Sequence, residues 1–255
     1  MTMERRLRLQ AFSGRAAIRA ATAALFTILL SSSLALVAGC GAQAAGSPAQ
    51  IVRKAMSAQG ELKSVHMRLD SELDFKVPGT QRTATVSYDG VYEKPDRWRL
   101  KLITSGAKSE VIILGDRTFV KLPGSDSWTE KKSGALEGGS SPGSLVSSKY
   151  LGSASNIVLA DKKGDAYHLN FDLDLAGFAR TFNVTGVDPS VFKGKKAHME
   201  VWVQRDSMRI EKATMNFSGD LSATGTPGTL SMDMEVDFSD FNEPVSIEPP
   251  ALGSP

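Results

Sequence analysis

The sequence predicts an α+β fold in which one large antiparallel sheet carries helices on its apolar face. Three observations support this prediction. The segment that opens the folded part has apolar residues at helical spacing, whereas most of the chain after it has them at every second position. Short turn signals such as "KPD", "SGA" and "RDS" separate the period-two runs, which is typical of antiparallel sheets. No long alternation of strands and helices is present, so a parallel sheet is not expected.

The opening helix is predicted within "PAQIVRKAMSAQGELKS". Pro48 favours a helix start, and Gly60 indicates a helix end. The apolar stripe of this helix consists of four residues at helical spacing: Ile51, Val52, Ala55 and Met56.

The first strand is predicted in "SVHMRLDSELDFKV", where apolar and polar residues alternate and so give one buried and one solvated face. Nine similar runs follow, which makes ten predicted strands in all. The nine runs are "TATVSYDGVYE", "RWRLKLIT", "SEVIILGD", "RTFVKLP", "NIVLADKK", "AYHLNFDLDL", "KAHMEVWVQRD", "MRIEKATMNFSG" and "GTLSMDMEVDFSDF".

A sheet that is solvated on one face must cover the other face by closing, by curling or by accepting helices. Two interruptions of the strand pattern offer short helices, one around Leu145 to Leu151 and one around Leu175 to Phe182. We therefore expect a highly curved sheet with the opening helix among the helices that cover its concave face.

The composition of the 255 residues, 41% hydrophobic and 23% charged, is typical of a folded chain with one main domain. The formal net charge of +2 comes from the N-terminal leader, because the residues before Cys40 include five arginines and one glutamate. From Cys40 onward, 25 Lys and Arg residues stand against 27 Asp and Glu residues. A near-neutral body has no electrostatic footprint for nucleic acid, so no nucleic-acid partner is expected.

The N-terminal 39 residues have the order of a secretory signal peptide: an arginine-rich head, an apolar stretch and small residues. The apolar stretch, Ala20 to Ala38, is 19 residues long, so an uncleaved membrane span is the alternative. The segment Val37-Ala38-Gly39-Cys40 resembles the lipobox of bacterial lipoproteins, and Cys40 is the only cysteine. Residues 1–39 are therefore interpreted as a lipoprotein signal peptide and Cys40 as the lipidation site.

Three segments follow this signal peptide. Residues 40–47 are small and polar and form a lipidated flexible tether. Residues 48–250 form the folded domain, and residues 251–255 are a C-terminal tail. Each buried methylene of an acyl chain contributes about 0.8 kcal/mol to membrane binding, so two or three acyl chains on Cys40 would anchor the protein firmly in a bilayer. The predicted location is the cell membrane, with the protein lipid-anchored on the extracytoplasmic face.

No signature of catalysis is present in the sequence. It contains no "GxSxG", no phosphate-binding glycine loop and no HExxH. The three histidines, His66, His168 and His198, fall on separate predicted strands, so a metal site is not expected. Carboxylates recur at every second position of some strands, and a solvated strand face explains them. We expect no enzyme activity and no cofactor.

Two tryptophans have predicted places in the sheet. Trp128, after "PGSDS", is expected to anchor a hairpin to a core. Trp202 alternates with the apolar residues Val201 and Val203, so it is expected on the outer face. A partner or a glycan could contact it there.

Several segments, in order along the chain, resemble one family of bacterial lipoproteins. They are "ELKSVHMRLDSELDF", "VYEKPDRWRLKLI", "DRTFVKLPGSDSWTE", "HMEVWVQRDSMRIEKATMNF" and "EVDFSDFNEPVSIEPP". From Pro48 to Pro250 the chain thereby resembles the LppX/LprA/LprF/LprG family and, more distantly, LolA-type carriers and RseB-type sensors. The resemblance implies a strongly curved antiparallel half-barrel whose concave face is plugged by helices. It also implies an apolar cavity for acyl chains and a carrier role in the cell envelope.

Strand alternation, rather than any family motif, supplies the residues that would line such a cavity. Six of the nine methionines, Met208 among them, lie in strand patterns. Flexible thioethers suit a surface for varied acyl chains and an ordinary packed core alike. The inward-facing candidates are Met67, Leu69, Leu73, Tyr88, Trp98, Leu100, Leu102, Phe171, Met199, Val201 and Met234.

Three classes of function follow. The main hypothesis is a membrane-anchored, non-catalytic lipoprotein that binds the acyl chains of a lipid or glycolipid and carries or presents them. The alternatives are an RseB-like sensor and a structural surface lipoprotein with a packed core. The expected partners are the lipid ligand, the membrane and a membrane transporter, and the chain is expected to be a monomer.

Overall fold

Helix α1 spans Pro48–Gly60, as the helical spacing predicts, and Gly60 is its last residue. The structure is a computed structural model of the full chain and describes residues 46–132, 146, 149–161, 164–181, 192–220 and 227–252. The backbone N–H of Ser47 donates a hydrogen bond of 2.9 Å to Gln50 Oε1, which satisfies a donor at the start of the helix.

Most of the described chain forms strands. Antiparallel hairpins with short turns join many of them, and two further helical segments, a 3-10 helix and α2, interrupt the second half of the sheet. The bounds are β1 Ser64–Val77, β2 Thr80–Glu93, β3 Arg97–Thr104, β4 Ala107–Leu114, β5 Arg117–Lys121, β6 Thr129–Lys132, the 3-10 helix Lys149–Ser153, β7 Ala154–Asp161, β8 Ala166–Asp174, α2 Leu175–Thr181, β9 Lys196–Gln204, β10 Ile210–Asp220 and β11 Thr229–Ser239.

These strands form one antiparallel sheet in the order β6-β5-β4-β3-β2-β1-β11-β10-β9-β8-β7. Every neighbouring pair is consecutive in the chain except β1 and β11, the first and last strands, which pair in the middle of the sheet. Among the described strands, β6 and β7 are the edges, so the sheet is not closed. The fold class predicted from the sequence, α+β with one large curved antiparallel sheet, is confirmed.

The sequence predicts ten strands, and the structure has an eleventh. Strand β6, Thr129–Lys132, has the sequence "TEKK" and pairs with β5. It was missed because it has no apolar residue to alternate, and backbone hydrogen bonds to β5 are enough to form it. The prediction of a strand at Met208 is also wrong. It lies in the turn before β10 with a positive φ of 55°.

The two predicted covering helices are found in part. The first helix is predicted around Leu145 to Leu151. The 3-10 helix Lys149–Ser153 begins within this range, and Leu145 itself lies outside the described residues. The second prediction corresponds to α2, and its last predicted residue, Phe182, lies outside the described residues.

We call the face of β1 that carries Val65, Met67 and Leu69 the apolar face of the sheet, and the opposite face the polar face. The apolar face and the helices share one large hydrophobic core. Helix α1 contributes Ile51 and α2 contributes Phe178 to that core. The helices therefore cover the apolar face, as predicted. No helix among the described residues is long and apolar enough to span a membrane.

A smaller hydrophobic core lies on the polar face of β4 and β5. Ile112, Phe119 and Ile247 are its buried members, and Trp128 packs against it as expected for a hairpin anchor. The C-terminal segment reaches this core after β11, and the backbone N–H of Ile247 donates to Glu93 Oε2 at 3.0 Å. The end of the chain thus stabilises the β4–β5 side of the sheet.

Gly90 marks a point of close approach between β2 and β3. It lies opposite Leu100 on β3 and Met67 on β1. A Cβ atom at Gly90 would overlap the carbonyl oxygen of Arg99 and lie 2.8 Å from the Cα of Leu100. The sheet can take this close approach only where no side chain is present.

Candidate functional site

The apolar face changes from fully buried to accessible along β1. Val65 and Met67, near α1, are completely buried, whereas Leu73 is half-buried and Phe75 is 39% exposed. All four side chains point to the same face because they stand at even spacing. The end of the sheet at the β1–β2 turn therefore offers apolar surface that the helices of the described residues do not cover.

The structure brings ten of the eleven predicted lining residues together in one core. Seven of them are buried: Met67, Leu69, Trp98, Leu100, Phe171, Met199 and Val201. Three are half-buried and pack against the same core: Leu73, Tyr88 and Met234. The eleventh, Leu102, belongs to neither hydrophobic core and lines a surface groove near the end of β3.

The seven buried candidates contact other protein side chains in this structure. The aromatic pair Tyr92 and Trp98 illustrates the packing, with ring centroids 4.8 Å apart and planes tilted by 42°. Side chains with so little accessible surface stabilise the fold through burial. At the α1 end the apolar face is therefore filled by the protein itself.

The half-buried residues and the exposed Phe75 form a strip on this face across three neighbouring strands. We call it the open strip and define it as Leu73, Phe75, Tyr88, Met232 and Met234. Leu73 lies directly opposite Met232, and Tyr88 lies opposite Leu69 in the core. The five side chains of the strip carry no charge, and burial raises the pKa of the Tyr88 phenol. Arg82, opposite Phe75 on the same face, is a charged residue at the border of the strip.

Sequence alternation missed two members of this strip, although both carried a signal. Phe75 and Met232 stand on the apolar phase of β1 and β11 and could have been included by the same rule. The rule finds the face of each residue, but it gives no information on how far the covering helices extend. That extent decides which apolar residues remain accessible.

The polar face carries an aromatic and charged group on β8 and β9. The imidazole of His168 stacks on the indole of Trp202, with ring centroids 4.4 Å apart and planes 10° apart. Nε2 of His168 is hydrogen-bonded to Glu200 Oε2 at 2.6 Å, and Nε2 of His198 lies 3.6 Å from Glu200 Oε1. Trp202 thus lies on the outer face, as its alternation predicts.

The third histidine is held elsewhere on the polar face. Nε2 of His66 lies 3.5 Å from Asp89 Oδ1, on strands β1 and β2. Among the described residues no group of three or more His, Cys, Asp or Glu side chains could hold a metal ion.

An acidic groove of about 440 Å3 crosses the polar face in the middle of the sheet. Two like-charged pairs face each other across β1 and β11, Asp70 with Glu235 and Glu72 with Asp233. Arg68 Nε lies 3.0 Å from Asp70 Oδ2, and Lys212 Nζ lies 2.8 Å from Glu235 Oε2. A groove lined with carboxylates does not suit an acyl chain, so the apolar face remains the candidate site.

Comparisons with known proteins agree with this architecture. No protein-family profile matches the chain, and no curated protein sequence matches it. Solved structures do match. LprF from Mycobacterium bovis aligns with a TM-score of 0.52 at 14% sequence identity, over 81% of this chain and 98% of LprF. The chain has an LprF-like fold.

Two other solved structures align at lower scores. The lipoprotein LppX from Mycobacterium tuberculosis gives a TM-score of 0.47 at 18% identity, over 79% of this chain and 98% of LppX. A LolA superfamily protein from Nitrosomonas europaea gives 0.27 at 15% identity, over 77% and 93% of the two chains. The resemblance to LppX/LprF-like proteins that the sequence indicates is confirmed at the level of the fold.

Proposed function

We propose that the protein is a lipid-anchored lipoprotein of the cell envelope that binds the acyl chains of a lipid or glycolipid and carries or presents them without catalysis. The burial gradient along β1 is the observation that supports this function. An apolar face that is packed at one end and accessible at the other offers a place for an acyl chain beside an existing core.

The open strip has the properties that an acyl chain requires. Burial of apolar surface contributes about 25 cal/mol per Å2, so one C16 chain gains on the order of 10 kcal/mol before the costs of binding. Met232 and Met234 are flexible and adapt to chains of different shape. Because the strip has no charged group, we expect selection by the volume of the chain more than by the headgroup.

The anchor in this proposal is Cys40, which lies outside the described residues. Eight residues, 40–47, connect it to α1, and a fully extended tether of that length reaches about 29 Å. The domain would therefore work close to the membrane surface, where lipid ligands are available. A membrane transporter is the partner expected to supply or receive the ligand.

A structural lipoprotein with a packed core is the second candidate. The complete burial of seven predicted lining residues favours it, because such burial is what a packed core produces. The two candidates differ in the open strip, which binds acyl chains in one case and remains solvated in the other.

Displacement of a dansyl-labelled fatty acid by palmitate from the full chain tests the proposal. A charge in the strip, Leu73→Asp or Phe75→Asp, should weaken probe binding at least tenfold, because a carboxylate must then be desolvated beside the acyl chain. Gln81→Asp is the matched control, since Gln81 lies on the same hairpin, exposed and opposite Lys76 on the polar face.

Circular dichroism and the melting temperature show whether each variant is folded. Because Phe75 is exposed, we expect Phe75→Asp to remain folded. This variant therefore tests the proposal even if Leu73→Asp unfolds. No probe binding by the wild type, or equal binding by Phe75→Asp and the wild type, would contradict the proposed function.

A further inference from the structure

A second surface lies at the same end of the sheet, on strands β3, β4 and β5. A groove of about 330 Å3 there is lined by three lysines and two exposed aliphatic side chains. We call these five residues the basic-aliphatic patch: Lys101, Ile103, Lys108, Lys121 and Leu122.

Strand register places the patch. Lys101 lies between Asp89 on β2 and Glu110 on β4, and Glu110 lies opposite Lys121, which forms one row across four strands. Ile103 lies opposite Lys108 in the next row. Residues two apart on one strand share a face, so the two rows are neighbours on the polar face. Leu122 follows directly after β5, next to Lys121, and lines the same groove at its edge.

The aliphatic members of the patch are exposed to an unusual degree. Ile103 is 37% exposed and Leu122 is 55% exposed. The small hydrophobic core of Ile112, Phe119 and Ile247 lies on the same face but is buried under the C-terminal segment. Ile103 and the three lysines therefore lie on a part of this face that the end of the chain leaves uncovered, and Leu122 lies at its edge.

The charge of the patch is positive. Among the described residues that line the groove, Glu110 is the one carboxylate, and Lys121 Nζ lies 3.8 Å from it. Within the described part of the chain, Lys101 and Lys108 have no ion-pair partner. Lys108 is therefore available to an anionic partner beside the exposed Ile103, and Lys101, which lies between the carboxylates of Asp89 and Glu110, forms an ion pair with neither.

The antiparallel topology adds a third apolar side chain at the same end. The β1–β2 turn, the β3–β4 turn and the end of β5 all lie at one end of the sheet, because the strands alternate in direction. Phe75 is exposed on the first hairpin, opposite Arg82 and next to Lys76. This end therefore combines exposed apolar side chains with cationic ones on two hairpins.

We infer that the basic-aliphatic patch docks on the surface of an anionic phospholipid bilayer. The lysines would contact headgroup phosphates, and Ile103 and Leu122 would enter the boundary between headgroups and acyl chains. The acidic groove beside it carries Asp70, Glu72 and Asp233, which anionic lipids repel, so the patch rather than the middle of the polar face meets the membrane. This docking does not require acyl-chain binding on the apolar face.

A fluorescent label that brightens in apolar surroundings tests the docking. The full chain in a Cys40→Ala background receives one cysteine, Leu122→Cys, and a nitrobenzoxadiazole label. Vesicles of phosphatidylcholine with phosphatidylglycerol should increase and blue-shift its emission, whereas vesicles of phosphatidylcholine alone should not. Since the arginine-rich head and the apolar stretch of the leader are present in every sample, the patch is tested by comparison with a label elsewhere on the domain and with variants of the patch lysines.

Val158→Cys provides the control, because Val158 is an aliphatic residue of similar exposure, 58%, on the other edge of the sheet. Its emission should not change with either vesicle. In the Leu122-labelled chain, Lys101→Glu with Lys108→Glu should raise the vesicle concentration for half-maximal emission at least about 25-fold, or about fivefold for each lysine lost.

Equal changes at both label positions, no change at position 122, or equal changes with both vesicles would overturn the docking. A change at position 122 with polyglutamate but not with anionic vesicles would also overturn it and would assign the patch to an acidic protein partner. Binding of the dansyl fatty acid is measured on the same labelled chains, so failure of docking and failure of acyl binding are separate results.

Discussion

Met67 and Phe75 lie on the same face of β1, eight residues apart, yet Met67 is completely buried and Phe75 is 39% exposed. About 27 Å of strand separates them. The contrast divides one apolar face into a part that holds the fold together and a part that is accessible to a ligand.

Truncation at the two positions should therefore have different effects on stability and on binding. Met67→Ala should lower the free energy of unfolding by about 2–5 kcal/mol, because it removes buried methylenes and leaves a cavity. Phe75→Ala should lower it by about 1 kcal/mol or less and should weaken binding of the fatty-acid probe. Urea unfolding and probe titration measure the two effects. Equal losses of stability would show that Phe75 is part of the core.

The close approach at Gly90 predicts sensitivity to a single methyl group. Gly90→Ala should destabilise the protein by about 1–3 kcal/mol, because the new Cβ would overlap the backbone of Arg99 and Leu100. Gly60→Ala is the control, since a Cβ at the end of α1 would meet no atom within 4 Å. Thermal unfolding of both variants compares them, and a neutral Gly90→Ala would show that β2 and β3 can separate without cost.

Asp70 makes stability depend on pH in the acidic range. The Ser87 hydroxyl donates to Asp70 Oδ1 at 2.6 Å and, with help from Arg68 and against partial desolvation, lowers the pKa of this carboxyl. A depressed pKa in the folded state gives stability that is present above the unfolded-state pKa near 3.8 and is lost as pH falls through the folded-state value.

Ser87→Ala should raise the pKa of Asp70 toward its ordinary value. The stability difference between wild type and Ser87→Ala should be largest above about pH 4 and should shrink as the pH falls below that. Carboxyl NMR titration and unfolding between pH 2 and 6 measure it. A Ser87→Ala protein with the same Asp70 pKa as the wild type would rule out the hydrogen bond as the main cause.

The C-terminal segment should contribute to stability although it is not part of the sheet. Ile247→Ala should cost about 2–5 kcal/mol, because Ile247 is buried against Ile112 and Phe119. Ala251→Ser, at an exposed position a few residues further on, serves as the control. If denaturant unfolding shows both variants at wild-type stability, the segment does not hold the β4–β5 side together.

Lipidation of Cys40 predicts a specific mature N-terminus. Protein extracted from membranes should begin at Cys40 and carry a diacylglycerol on its thiol, which intact-mass spectrometry detects. Cys40→Ala should release or misprocess the protein. An unmodified Cys40 with residues 1–39 still attached would contradict the lipoprotein interpretation.

The sequence predicts the fold well because the alternation of apolar residues is nearly unbroken. In β8, for example, buried residues stand at every second position from Tyr167 to Leu173. The same alternation places Met67 and Met234 on one face. It fails for β6, whose four residues are all polar and whose pairing with β5 depends on backbone hydrogen bonds.

The accessible part of the site could not be predicted in the same way. Exposure of Phe75 depends on where the covering helices end, and the burial of Ile247 depends on a long-range contact with Ile112. Local periodicity contains neither kind of information. Leu102 is an example of an apolar residue that alternation places in the core incorrectly. It has the same phase as Leu100, yet it lines a surface groove outside the core.

Native mass spectrometry of the full chain in a Cys40→Ala background, purified from a lipid-containing bacterial host, tests acyl-chain binding most directly. We expect a second population heavier by the mass of one lipid, which solvent extraction identifies. Phe75→Asp should abolish this population, and Gln81→Asp should retain it. A single population at the mass of the bare protein, with no extractable lipid and no displacement of the fatty-acid probe, would contradict acyl-chain binding and favour a structural lipoprotein with a packed core.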